Sequence, residues 1–151
     1  MTEEKIKEQS ETFCASWHTL DVLYEEYAKS KDLSYTSLRI LNYIYSGTQR
    51  YTQKELAQMA FLPKQTVNSI ITGFYRQGLV VMKELEEDRR TKAVYLTEKG
   101  KVYAEEILPK IHEAEYSAIG QMNPDERILF LELMHRYVMC CSEVLTDKER
   151  R

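Results

Sequence analysis

LPKQTVNSIITGFYRQGLV at residues 62–80, followed by EDRRTKAVYLTEKG at residues 87–100, decides how the rest of the chain is read. In the first stretch Val67, Ile70, Ile71 and Phe74 recur at helical spacing and form one apolar face. Gln65, Asn68, Ser69, Thr72 and Arg76 fall on the opposite face, with Lys64 and Thr66 in the first turn. Pro63 suits the first turn of a helix and Gly78 a left-handed C-terminal cap, so the helix is bracketed between them. From Leu79 the pattern changes. Leu79-Val80-Val81-Met82 reads as a strand, Glu86 to Arg90 as a charged turn, and Lys92-Ala93-Val94-Tyr95-Leu96 as the returning strand. Thr97 then caps a further helix, with Glu98 in its first turn.

Upstream, Thr52-Gln53-Lys54-Glu55 has the spacing of a capping box and opens a short helix carrying Leu56, Met59 and Ala60. Ser34 caps a helix with Leu38, Leu41, Ile44 and Tyr45, and Phe13, Trp17, Leu20, Tyr24 and Tyr27 form one stripe along a long helix over 5–29. Downstream, Tyr103, Ile107, Ile111 and Ala114 keep the helical period, with Pro109 expected to bend that segment. Asn123-Pro124-Asp125-Glu126 is a strong helix start, and Phe130, Met134, Tyr137, Cys141 and Val144 mark the last helix. Four helices, two strands and two helices in that order define a winged helix-turn-helix, mainly α with a small β wing. The expected organisation is a single domain over 1–151, with a lobe over 33–100 flanked by helices over 5–29 and 101–147.

Composition fits that reading. A chain of 151 residues with 43% hydrophobic and 30% charged residues is ordinary for a globular domain, and five Gly and three Pro leave room for many helices. No apolar run approaches the roughly 20 residues needed to span a bilayer, and the acidic start Met1-Thr2-Glu3-Glu4-Lys5 lacks a signal-peptide core, so a cytoplasmic location without membrane contact is expected. Cys14, Cys140 and Cys141 make no disulfide framework. His18, His112 and His135 are too scattered for a metal site, and no nucleophile elbow, phosphate loop or dinucleotide fingerprint is present, so neither metal, cofactor nor catalysis is expected.

The formal charge of −3 conceals a division along the chain. Residues 1–32 hold four Lys against eight Asp/Glu, residues 33–102 eleven Lys/Arg against six, and residues 103–151 six against ten. A basic middle between acidic ends suits a surface that faces phosphate. The outer face of the 63–77 helix contains no acid: amides match adenine edges, hydroxyls suit bases or phosphates, and basic groups take phosphate or guanine. Base reading is therefore assigned to Gln65, Thr66, Asn68 and Ser69, and backbone contact to Lys64, Thr72 and Arg76. Arg89 and Arg90 stand at the hairpin tip, where long side chains enter a minor groove, and Asp88 is placed to hold the Arg90 guanidinium by a forked hydrogen bond. A polar helix face and a charged turn are also what plain solvation produces.

These two stretches resemble the MarR family of bacterial regulators, above all in D-x-R (Asp88 to Arg90) followed by L-T-x-x-G (Leu96 to Gly100), and the helix order from 5 to 147 agrees. The resemblance implies a homodimer joined by its first, fifth and sixth helices, a recognition helix at 63–77 and a minor-groove arginine at Arg90 braced by Asp88. Glu84, Glu86 and Glu87 make this wing less basic than many in the family. The resemblance also implies a small-molecule effector between the dimerisation helices and the DNA-binding lobe, for which Trp17, Leu20, Tyr24 and Tyr43 are candidate lining residues; aromatics at this spacing also suit plain core. Some relatives sense peroxide with a cysteine in the first helix; Cys14, one turn from His18, is the matching candidate, and a small packing residue is the simpler reading.

The expected function is sequence-specific binding of double-stranded DNA, at a palindromic operator, by an effector-responsive homodimeric repressor. Two rivals are a thiol-redox-sensing repressor using Cys14, and a winged-helix protein-interaction module that does not bind DNA.

Overall fold

The computed structural model describes residues 2–47 and 50–146. Its elements are α1 (Glu3–Lys29), α2 (Tyr35–Ser46), β1 (Tyr51–Thr52), α3 (Gln53–Ala60), α4 (Lys64–Arg76), β2 (Val80–Glu84), β3 (Lys92–Leu96), α5 (Glu98–Gly120) and α6 (Pro124–Thr146). Residue 147, the expected end of the last helix, lies outside the described residues. The hairpin is as expected, antiparallel from Val80↔Leu96 to Glu84↔Lys92, but the sheet gains a third strand: β1 pairs with β3 through Tyr51↔Val94 and Thr52↔Ala93. A two-residue strand is too short to show any periodicity in sequence. The chain divides into two compact units, Met1–Leu108 and Pro109–Arg151.

In the first unit the helix starts follow local chemistry. The Ser34 hydroxyl accepts from the Ser37 N–H at 3.0 Å. Thr52 and Glu55 cap each other reciprocally: Thr52 Oγ1 accepts from the Glu55 N–H at 3.2 Å, and Glu55 Oε2 accepts from the Thr52 N–H at 2.7 Å. Those bonds stabilise the charged carboxylate, so Thr52 holds Glu55 below the usual carboxylate range. The core comes from every layer, with Ile40 and Leu41 of α2, Leu56 of α3, Ile71 of α4, Ala93 of β3 and Leu108 of α5 fully buried. The end of α1 is tied to this core by Ala28, also fully buried, and by the Tyr27 hydroxyl, which donates to the Ile107 carbonyl at 2.7 Å.

The tightest junction joins the end of α4 to the start of α5. Gly78 takes the left-handed conformation (φ +73°), and Leu79 N–H returns to the Phe74 carbonyl at 2.9 Å, closing α4. Thr97 then bonds this turn twice: its hydroxyl donates to the Gly78 carbonyl at 2.6 Å and its N–H to the Leu79 carbonyl at 3.0 Å. The same hydroxyl accepts from the Gly100 N–H at 2.9 Å, capping α5, while Lys99 Nζ reaches the Gln77 carbonyl at 2.8 Å. Gly100 lies so close that a Cβ there would stand 1.9 Å from the Leu79 oxygen. The L-T-x-x-G pattern is therefore a backbone-to-backbone docking site.

In the second unit α5 continues to Gly120, its helical span running through Pro109. Asn123 Oδ1 accepts from the N–H groups of Asp125 and Glu126, both at 3.0 Å, and Glu126 Oε2 accepts from the Asn123 N–H at 2.8 Å, so the expected helix start is realised as a second capping box. α6 contains no buried residue, yet Ile128, Leu131, Val138, Val144 and Leu145 are each more than half exposed. A helix that is apolar on several sides is one whose cover lies elsewhere.

Two outcomes follow from these contacts. Gly100→Ala should cost about 2–4 kcal/mol, because the methyl group meets backbone that cannot rotate away; a lower urea midpoint at unchanged slope would show it, and a parent-like midpoint would contradict the docking. Because Glu55 has a depressed folded-state pKa, its cap contributes fully above the unfolded carboxylate value and fades as pH falls through the folded one. The stability gap between the parent and Glu55→Ala should therefore narrow on acidification and stay constant near neutrality.

Candidate nucleic-acid interface

α3 and α4 meet at a turn whose backbone is fully engaged. The last four carbonyls of α3 all accept hydrogen bonds: Ala57 from Leu62 N–H (3.0 Å), Gln58 from Phe61 N–H (3.3 Å), Met59 from the Tyr43 hydroxyl (3.3 Å) and Ala60 from Arg39 (3.0 Å). Pro63 stands at the N-cap of α4, one position before the first turn expected for it, and gives no side-chain cap. The first-turn N–H groups of α4 are thus left for solvent or for an anion.

The faces of α4 separate as the sequence indicates. Val67, Ile71 and Phe74 are buried, and Ile70 is half-buried. Lys64, Gln65, Asn68, Ser69 and Arg76 are exposed, whereas Thr66 and Thr72 are half-buried. The Ser69 hydroxyl donates back to the Gln65 carbonyl at 3.0 Å, leaving its lone pairs as acceptors. The assigned residues therefore form one open polar strip along α4.

The wing differs from expectation in one detail. The Asp88 carboxylate accepts from the Arg90 backbone N–H at 3.0 Å and from the Thr91 hydroxyl at 2.7 Å, rather than from the Arg90 guanidinium. An aspartate two residues back is well placed to bond the main chain, which is already fixed nearby; a guanidinium would first have to surrender rotamer freedom. Those bonds, the Thr91 hydroxyl first, hold Asp88 below its ordinary pKa. Thr91 N–H closes the turn on the Asp88 carbonyl and Leu85 N–H closes the loop on the Thr91 carbonyl, both at 3.0 Å. Asp88 therefore shapes the loop, while Arg89 and Arg90 are exposed and carry no side-chain hydrogen bond or ion pair among the described residues.

Sequence reasoning missed Arg50, which forms an ion pair with Glu87 across 37 residues. The pair bridges a cavity of about 370 Å³ lined by Arg50, Thr52, Glu55, Leu85 and Glu87, between the start of α3 and the wing loop. Glu87, counted in sequence only as a negative charge on the wing, is thus an anchor for it. No short-range signal could have found the pair.

The other candidates are placed separately. Trp17 and Leu20 are exposed on α1, Tyr24 stacks on Tyr35 (centroids 5.4 Å apart, planes at 16°), and Tyr43 is turned to α3 by its bond to Met59. Cys14 is exposed. Among the described residues no group of three or more His, Cys, Asp or Glu is arranged to hold a metal, and no helix is long and apolar enough to cross a membrane.

A helix, a rigid turn, a second helix with an acid-free polar face and an arginine-tipped hairpin define a winged helix-turn-helix. Residues 31–91 match the model of the MarR family. The HTH-type transcriptional repressor YetL of Bacillus subtilis is 29% identical over 112 residues, 73% of this chain and 66% of that protein, so the match spans just under two thirds of its length. Among solved structures, the Staphylococcus aureus MepR–DNA complex aligns with a TM-score of 0.71 at 19% identity, over 88% of this chain and 97% of that one. Bordetella bronchiseptica BpsR, whose DNA binding is regulated by 6-hydroxynicotinic acid, aligns with a TM-score of 0.67 at 18% identity, over 85% and 91%. Over the helix-turn-helix and the wing, the chain is thus similar to the MarR family of transcriptional regulators.

Asp88→Ala should loosen the wing without unfolding the lobe. Hydrogen exchange of the Arg90 and Thr91 amides is expected to quicken in the variant. In the parent it should quicken only as pH falls through the depressed Asp88 pKa, once the intrinsic pH dependence of exchange is removed. Equal protection in parent and variant would show that the carboxylate does not order the loop.

Proposed function

We propose that the protein is a homodimeric repressor that binds a palindromic operator through α4 and the wing and is released by a small-molecule effector. The observation that carries this reading is the open strip Lys64, Gln65, Asn68, Ser69 and Arg76, which has no acid along it, together with Arg89 and Arg90, whose side chains are unpaired among the described residues at the wing tip. Gln65, Thr66, Asn68 and Ser69 take the role of reading base edges from the first turns of α4. Lys64, Thr72 and Arg76 hold phosphates, and Arg89 and Arg90 lie along the minor groove on a loop shaped by Asp88.

A two-fold dimer supports recognition of two half-sites about one helical turn apart, and the exposed apolar side chains of α6 supply a surface for pairing. An effector that favours one spacing of the two reading helices shifts the dimer between binding and non-binding states. BpsR, regulated by a small aromatic acid, supports such control; Trp17, Leu20, Tyr24 and Tyr43 remain the candidate lining. The exposure of Cys14 favours one second reading, control by thiol oxidation, which alkylation before DNA binding would expose. No catalytic step is assigned to the chain.

The test is competition binding to operator recovered from genomic DNA and to scrambled DNA at fixed salt. Gln65→Ala and Asn68→Ala should lower operator affinity by roughly 1–3 kcal/mol per half-site while sparing scrambled DNA. Lys64→Ala should weaken both alike, because a phosphate contact carries no sequence information. Equal losses on both DNAs for the amide variants would remove them from base reading. Separately, Leu131→Glu on α6 should shift the mass in light scattering from twice that of the chain towards one, with DNA binding falling in step; a parent that is already monomeric at micromolar concentration would overturn the dimer.

A further inference from the structure

Phe61 has a conformation and an exposure that its residue type does not favour. It caps α3 in the left-handed region at φ +53°, a region that a Cβ disfavours and that glycine enters freely. Its side chain is 93% exposed, so no packing offsets that strain. The turn nonetheless cannot relax, because all four terminal carbonyls of α3 are bonded, two of them by Tyr43 and Arg39 from α2. A benzyl group is thereby presented to water on a fixed backbone, two residues before the N-cap of α4. Strain that the surroundings impose and packing does not repay is a mark of function rather than of stability.

We propose that Phe61 is a DNA-contacting residue that packs its ring on a thymine 5-methyl group at the edge of the major groove. The inference rests on the reading of α4 as the recognition helix. In helix-turn-helix proteins the residues at the start of that helix reach base edges, and Phe61 lies immediately before them. Apart from the half-buried Thr66 and Thr72, the strip on α4 offers no apolar group, and the thymine methyl is a base feature that an aromatic ring reads well. The backbone that carries the ring is fixed in advance, so no loop ordering is needed on binding.

The experiment pairs a protein substitution with a base substitution. Phe61→Gly, and Phe61→Asn as a polar residue that tolerates the same backbone, are compared with the parent on the recovered operator and on the same operator with deoxyuridine replacing thymine. Phe61→Gly should melt about 2–4 °C higher, since the strain is removed, yet bind the thymine operator about tenfold more weakly per dimer. On the deoxyuridine operator the parent should lose the same factor and both variants should lose little. A lower melting temperature would make Phe61 a structural residue and overturn the proposal. Unchanged operator affinity would also overturn it, leaving the ring to a protein partner. An equal loss on both operators would exclude methyl reading. A parent that binds no recovered DNA would instead overturn the reading of the whole surface, so the two failures are distinguishable.

Discussion

The Leu79 carbonyl oxygen is the fixed point of the winged helix-turn-helix lobe. Thr97 N–H bonds it, the bare Cα of Gly100 rests on it, and the Thr97 hydroxyl holds the neighbouring Gly78 carbonyl while capping α5. Three elements thus share one short stretch of backbone: the end of α4, the first residues of β2 and the first turn of α5. Because β2 leads into the wing, the angle between α4 and the hairpin is pinned by short backbone contacts and Thr97 bonds in addition to side-chain packing. Backbone contacts of this kind do not slide, and a reading surface made of two separate elements requires that. The constraint also explains why glycine is needed at position 100 although its helix would otherwise favour alanine.

What was legible in the sequence was what is local. Ser34, Thr52, Thr97 and Asn123 each act on atoms two or three residues away, and each was identified as a cap from its neighbours alone. The two faces of α4 followed from periodicity, and the hairpin from an apolar run, a charged turn and a returning run. What escaped lay at long range or in the sign of a dihedral angle. β1 has only two residues and exists because β3 offers it a partner. The Arg50–Glu87 pair joins residues that nothing in sequence connects. Nothing in the sequence marks Phe61 as a left-handed residue, and its ring is exposed. Asp88 was correctly placed in the wing but assigned to the wrong atoms of Arg90, because the competition between a fixed N–H and a mobile guanidinium is decided by entropy.

The wing carries less positive charge than its two arginines suggest, since Glu84, Glu86, Glu87 and Asp88 surround them. The structure gives two of these acids other tasks. Asp88 faces inward to the loop backbone and Glu87 is paired with Arg50. Their charges still oppose phosphate at a distance, which favours weak non-specific attraction and leaves more of the discrimination to contacts along α4. A screened exposed pair such as Arg50–Glu87 adds little to stability, about 0–1 kcal/mol. Its value is geometric: it links the hairpin loop to the segment that leads into the capping box.

α6 has a consequence for stability once a second copy is taken as its cover. A helix with no buried residue and a row of uncovered aliphatic side chains derives little stability from its own fold, and a surface of that kind gains stability only from what covers it. If the cover is a second copy, as proposed, mass action would make dilution act as a denaturant: the folded fraction would rise with concentration rather than being an intrinsic constant. A regulator built this way would have a concentration threshold in its folding equilibrium. For a dimer paired over α6, a fall in concentration through lower synthesis or faster proteolysis would leave molecules that are not merely fewer but individually less stable.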